Sequence, residues 1–335
     1  MKNTGNQVVW DLSKGSFYET WYFTFAIPGG QAFWIRGTLH HNTELDKDRI
    51  GGLWFARFDA GNPQRNLSLR AFYPESHLDF IKGRSEFEIG SASFHEGCFK
   101  GGFEADGHRV SWHLDYAANT EPLWLVPAPL KLARIPKADV CVPNVDIRLF
   151  GFVEVDGERI DIDDIPAGQA HHWGYHFAHS WLWGHCNEFD NARDCWVEAL
   201  SVEMAGKGRA RVPAVMLAAK FPSGIFKPHT LGLVLSHSSY SKGVWTFAGQ
   251  DATRRVEARF SAPEEYFVCQ PYVSPHGKEY FCHNSCLCDV MLRVYERKIF
   301  RWILLHELRS SKKAAAEFCT PEYTSPGRYE FKSLF

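Results

Sequence analysis

Apolar residues recur at every second position through much of this 335-residue chain, and short Gly, Asp and Pro turns interrupt the pattern. A period of two suits strands with one buried face, and no long amphipathic helix competes with it. The sharpest case is FYETWYFTFAI-PGG-QAFWIRGTL, in which Pro28-Gly29-Gly30 reads as a three-residue hairpin loop. Antiparallel pairing then sets Phe25 against Phe33, Phe23 against Ile35, Trp21 against Gly37 and Glu19 against Leu39. In that register both strands put their apolar residues on one face. Glu19 shares this face with Phe17, Trp21, Phe23 and Phe25, so an acid is expected inside an apolar interior. A second hairpin is GFVEV-DG-ERIDI, where Asp156-Gly157 suits a type I′ turn. Further strands are expected at Trp181–Phe189, Cys195–Met204, Val212–Ala219, Thr230–Leu235, Val256–Phe260, Ser285–Tyr295 and Arg301–Leu308. Many short strands with tight turns predict an all-β sandwich or barrel. Pro127, Pro129, Pro136 and Pro143 crowd one stretch, which reads as a connector because proline breaks ladders. A boundary near residue 145 follows, with units at 1–144 and 145–335.

Phe, Tyr and Trp together make up 15% of the chain, and aromatics both favour strands and line apolar pockets. Net charge is -2 with no dense Lys/Arg stripe, so nucleic acid is not an expected partner. No run of 18 apolar residues occurs, so no membrane-spanning helix is expected. The segment MKNTGNQVVWDLSKG lacks the apolar core of a signal peptide, and nine cysteines without a framework spacing read as reduced thiols. Both point to a cytoplasmic protein. There is no G-x-G-x-x-G, P-loop or G-x-S-x-G motif, so nucleotide chemistry and a serine nucleophile are not indicated.

The densest chemical segment is HHWGYHFAHSWLWGHCNEF. On a strand from Trp181, one face carries Trp181, Trp183, His185, Asn187 and Phe189; the other carries Leu182, Gly184, Cys186 and Glu188. A polar pair among aromatics fits a pocket that orients one polar group of an apolar molecule. Core residues bonded to neighbouring backbone are the simpler alternative. His171, His172, His176, His179 and His185 lack a helix to gather them. Cys282, Cys286 and Cys288 follow C-x₃-C-x-C, which on a strand makes Cys286 and Cys288 small hydrophobes on one face. No metal is expected. Glu19 has two readings: a structural acid paired with Arg36 or Arg57, or a desolvated acid holding a proton in an aromatic box. The second would suit protonation of an alkene, the aromatic faces stabilising the resulting cation.

FYETWYFTFAIPGGQAFWI resembles the opening strand pair of the tocopherol cyclase family, with its F-x-E-G-W-Y-F segment. GFVEVDGERIDI, followed by W-G and W-x-W-x-x-C-N-x-F, resembles the family's later block, and CHNSCLCDVMLRVYER its closing strand. The wider group includes carotenoid 1,2-hydratase and AttH-like proteins. The resemblance implies two lipocalin-like antiparallel β-barrels or half-barrels in one chain. It implies a cofactor-independent cyclase that protonates an alkene of a prenylated or polyene substrate. A hydroxyl then traps the cation, or water does so in a hydratase. Matched by position are Glu19, Trp21, Tyr22, Trp173, Gly174, Trp181, Trp183, Cys186, Asn187 and Phe189. Thr20 stands where the family has Gly, and His185 where plant cyclases have Gln. Glu19 or His172 is then the expected proton donor, with His185 and Asn187 handling the nucleophile. Trp21, Tyr22, Phe23, Trp34, Trp173, Trp181, Trp183 and Phe189 are the expected pocket. The expected partner is a hydrophobic small molecule, which peripheral contact with a membrane would help to collect. The alternatives are a lipocalin-like carrier without chemistry and a cyclase of polyketide or terpenoid natural products.

Overall fold

The computed structural model describes residues 5–10, 15–43, 49–119, 121–126, 138–205, 211–227 and 236–332. It is nearly all strand, organised as two large antiparallel sheets. The first hairpin has the expected register, with Phe25 opposite Phe33 and Glu19 opposite Leu39. At the second, Asp156 and Gly157 have φ of 54° and 83°, the pair of positive values that a type I′ turn requires.

The first sheet begins at Leu67–Pro74 and continues through Arg49–Asp59, Gln31–His41, Phe17–Ile27, Glu158–Gly174, Ala138–Val155, His108–Tyr116, Cys98–Ala105, Ala92–His95 and Phe87–Ile89 to Leu78–Phe80. Its ends curl towards each other. A Cβ at Gly51 would press on the Leu78 and Ile89 side chains, so glycine eases this closure. The second sheet runs Gly224–Phe226, Arg211–Phe221, Trp196–Ala205, Ser180–Cys186, Arg301–Thr320, Glu279–Lys298, Arg254–Ser261, Val244–Gln250, His237–Ser241, Glu330–Lys332. The chain passes from one sheet to the other between Gly174 and Ser180, downstream of the expected boundary near residue 145. Ala138–Val155 contains Pro143 and still pairs within the first sheet, because a register shift between Cys141 and Asn144 accommodates the proline.

Three apolar cores result. One fills the first barrel around Trp21, Phe23, Phe55 and Trp112. Another fills the second around Leu182, Trp245 and Phe260. The third lies between the two sheets and contains Tyr22, Trp34, Phe58, Trp183, Leu200 and Tyr280. The central strands of the first sheet are therefore covered on both faces. The expected strand at Thr230–Leu235 lies outside the described residues. Cys286 and Cys288 do not share a face: a register shift between Ser285 and Cys288 sends Cys286 to the core between the sheets and Cys288 into the second barrel.

Candidate functional site

Strand parity divides the expected site residues. Along Phe17–Ile27, Trp21 and Phe23 enter the first barrel's core, as Glu19 does by parity, whereas Tyr18 and Tyr22 face the second sheet. Tyr22 pairs with Arg36, so Trp34 and Arg36 join the outward face. Neighbouring histidines split likewise: His171 turns inward to Glu19 and His172 outward. Trp173 packs against the first core.

Glu19 is fully buried. Its Oε1 accepts from the backbone N–H of Val9 at 2.7 Å, and its Oε2 from that of Trp10 at 2.9 Å. His171 Nε2 lies 2.9 Å from Oε1, and His171 Nδ1 lies 2.6 Å from the Gly5 carbonyl oxygen. A carbonyl only accepts, so Nδ1 carries a proton. These contacts clamp residues 5–10 over the barrel, where Val8 and Trp10 are buried. The partner of Glu19 is a histidine, and neither Arg36 nor Arg57 takes that place.

The cavity that gathers chemistry lies between the sheets. It holds about 720 Å³, including the part open to solvent, and is lined by Tyr18, Tyr22, Trp34, Arg36, His172, Phe177, Trp181, Trp183 and Glu317 among others. Of the expected residues, Tyr22, Trp34, His172, Trp181 and Trp183 meet here. Tyr22 stacks edge-on against Trp183 at 5.3 Å, and His172 edge-on against Tyr18 and Tyr22 at 5.6 and 5.8 Å. Burial, with Arg36 and His171 adding to it, holds His172 well below the usual histidine range, so its imidazole is neutral at pH 7. Burial, reinforced by Glu198 and Glu317, raises the Tyr22 phenol far above its ordinary value. Glu317 is the one carboxylate among the residues lining this cavity. Its Oε1 accepts from Trp181 Nε1 at 2.6 Å and its Oε2 from Asn284 Nδ2 at 3.2 Å. Each oxygen keeps a further lone pair for a proton.

His185 sits beside the cavity. Its Nδ1 lies 2.8 Å from Glu198 Oε2, while Glu198 Oε1 accepts from Trp183 Nε1 at 2.6 Å. This chain fixes the indole that forms part of the cavity wall. The other His185 nitrogen, Nε2, is buried without a hydrogen-bond partner against Gly168. Asn187 donates to Asp146 Oδ1 and the Ala167 carbonyl, tying the two sheets together. The strand ends at Cys186, so the expected alternation does not extend to Phe189, which turns into the second barrel's core.

Tyr18, Arg36, Glu317 and Tyr272 were not among the expected residues. The signal for the first two lay in the other parity of the opening strands, where aromatics Tyr18, Tyr22 and Trp34 flank an arginine. Glu317 and Tyr272 come from distant segments that only the docking of the sheets brings near. Among the described residues, three metal-type side chains converge at Cys98, His113 and Asp115, which do not line this cavity.

Comparison with known proteins bears on the family and the fold. The tocopherol cyclase-like family model matches residues 136–319, more than half of the chain. A chloroplastic tocopherol cyclase of Zea mays is 23% identical over 150 residues, 44% of this chain and 32% of that protein. The match thus spans about a third of the relative's length. Two solved structures share the fold. CghA with Sch210972 has a TM-score of 0.57 at 9% identity, covering 93% of this chain and 90% of that one. Kievitone hydratase from Nectria haematococca has a TM-score of 0.53 at 9% identity, covering 97% and 93%. With two lipocalin-like sheets and this match, the chain belongs to the tocopherol cyclase-like family.

Proposed function

We propose that this protein is a cofactor-independent cyclase or hydratase acting on a prenylated or polyene substrate in the cavity between the sheets. The observation that carries the reading is the meeting there of one carboxyl group, Glu317, with a neutral His172 inside a wall of Trp34, Trp181 and Trp183. The Glu317 carboxyl group transfers a proton to one alkene carbon, leaving a tertiary carbocation at the other. The indole faces and the new Glu317 carboxylate stabilise that cation. A substrate hydroxyl, or water, attacks it, and the oxygen's proton passes to His172. Return of a proton to Glu317 closes the cycle, so the net change is an isomerisation or an addition of water. Family resemblance supports the same class of reaction, as the relative from Zea mays is a tocopherol cyclase.

Glu19 has no part in these steps, because its carboxylate is held by His171 and two backbone donors inside the first barrel. Incubation with a prenylated hydroquinone in deuterated water tests the reading. A cyclised product with one non-exchangeable deuterium is expected, and Glu317→Gln should lower its formation by at least about a hundredfold. A product without deuterium would exclude alkene protonation. Tight binding without turnover would favour the carrier.

A further inference from the structure

Arg36 is buried at 4% exposure and yet has no carboxylate within ion-pair distance among the described residues. Its Nε donates to Thr38 Oγ1 at 2.8 Å and its Nη2 to Thr20 Oγ1 at 3.0 Å. The guanidinium lies 4.3 Å from the Tyr272 ring centre, 4.8 Å from that of Trp54 and 5.8 Å from that of Trp34. Aromatic faces offset part of the cost of burying a cation, but a buried charge is ordinarily matched by an anion. Arg36 also borders a second cavity, of about 820 Å³ including its open part, which shares Tyr18, Phe177 and Tyr272 with the first. That second cavity is lined by Arg36 and Arg70 and by no carboxylate. The buried indole nitrogens of Trp34 and Trp54 have no acceptor either. This end of the cleft is rich in donors and holds no anionic side chain among its lining residues.

We infer that the substrate brings the missing anion: an oxygen acid, either a carboxylate or an ionised phenol or enol, attached to the apolar chain and held by Arg36. The inference rests on the cleft being the substrate site. It orients the molecule, with the acidic oxygen at Arg36 and the alkene towards Glu317. Tryptophan quenching by retinoic acid and by its methyl ester, two polyenes differing in one charge, tests it. The acid should bind the wild type about tenfold or more tightly than the ester. Arg36→Gln should remove that preference while leaving the ester's affinity within about twofold, and Arg36→Lys should restore part of it. Equal binding of acid and ester to the wild type would overturn the inference while leaving an apolar cleft. Persistence of the preference in a folded Arg36→Gln variant would also overturn it. Binding of neither probe would overturn the cleft reading with it. Should Arg36→Gln fail to fold, the wild-type ratio decides.

An independent observation concerns the hairpin joining Glu279–Lys298 to Arg301–Thr320. Its two-residue tip is Ile299-Phe300, exposed by 84% and 91%, with Ile303, Leu304 and Leu305 exposed behind it. Ile299 has φ of 56°, a left-handed conformation that is strained for a β-branched residue. Arg297, Lys298 and Arg301 are exposed around the tip, opposed by Glu296, which pairs with Lys298. An apolar point within a basic collar is complementary to an anionic bilayer surface. We propose that this tip inserts into the interface of membranes containing anionic lipid. The wild type should co-sediment with phosphatidylserine-containing vesicles and not with phosphatidylcholine alone. Ile299→Gly with Phe300→Asn relieves the turn, so it should leave the melting temperature undiminished and reduce vesicle binding at least about tenfold. Undiminished binding by the double variant, or none by the wild type, would overturn the proposal. So would a dimer of the wild type that the variant abolishes, since the tip would then serve a second copy.

Discussion

Glu19 and Glu317 are both carboxyl groups amid aromatics, and the proposed function separates them by place, because Glu317 lines the cavity between the sheets and Glu19 does not. Glu19 accepts from two backbone N–H groups and lies 2.9 Å from His171 Nε2, so it ties residues 5–10 to the first barrel. Replacing it with Gln removes the anion and sets an amide against donors. Glu19→Gln is therefore expected to cost roughly 3 kcal/mol of stability, measured by urea unfolding. Turnover per folded molecule should change little, and loss of turnover at undiminished stability would return Glu19 to the mechanism. The Glu317 prediction has the opposite pattern: activity falls while the melting temperature stays close to that of the wild type. His171 and His172 repeat the lesson, because one residue of parity separates a contact with Glu19 from a cavity wall.

At the scale of the element, one strand pair builds two different surfaces. Its inward parity was legible in the sequence, since Phe17, Trp21, Phe23 and Phe25 alternate with threonines and tyrosines. Its outward parity was not read as a second buried face, because a hairpin alone does not say what covers it. The same ambiguity led Trp21 and Phe23 to be grouped with Tyr22 and Trp34, although they point in opposite directions. Proline density does not mark the change of sheet: Pro143 falls at a register shift, where a missing N–H costs no ladder bond, and Pro127, Pro129 and Pro136 lie outside the described residues. The close approach of the two sheets depends on a glycine. A Cβ at Gly168 would lie 2.3 Å from His185 Nε2. Gly168→Ala is expected to destabilise the protein by about 1–3 kcal/mol by displacing that ring. Thermal unfolding measures it, and an unchanged midpoint would show that His185 moves freely.

The whole molecule is two curled sheets sharing a third core, and its candidate site exists only where they meet. Buried neutral histidines give this assembly a pH dependence. Burial lowers His283 to about 4 and moves His172 well below its ordinary value. For a depressed histidine the unfolded chain binds more protons, so its contribution is complete above about pH 6.5 and is lost as pH falls towards the folded value. Stability should decline between pH 6.5 and 4, with His283 accounting for on the order of 3 kcal/mol. His283 stacks on Phe318 at 4.6 Å, so His283→Phe should flatten part of the slope, and an equally steep profile in that variant would exclude this residue as a source.

The most direct test of the central claim is a crystal structure with a prenylated hydroquinone or its cyclised product bound. The ligand is expected between the sheets, its apolar chain against Trp181 and Trp183 and its oxygen at Arg36. A ligand inside the first barrel, in contact with Glu19, would contradict it.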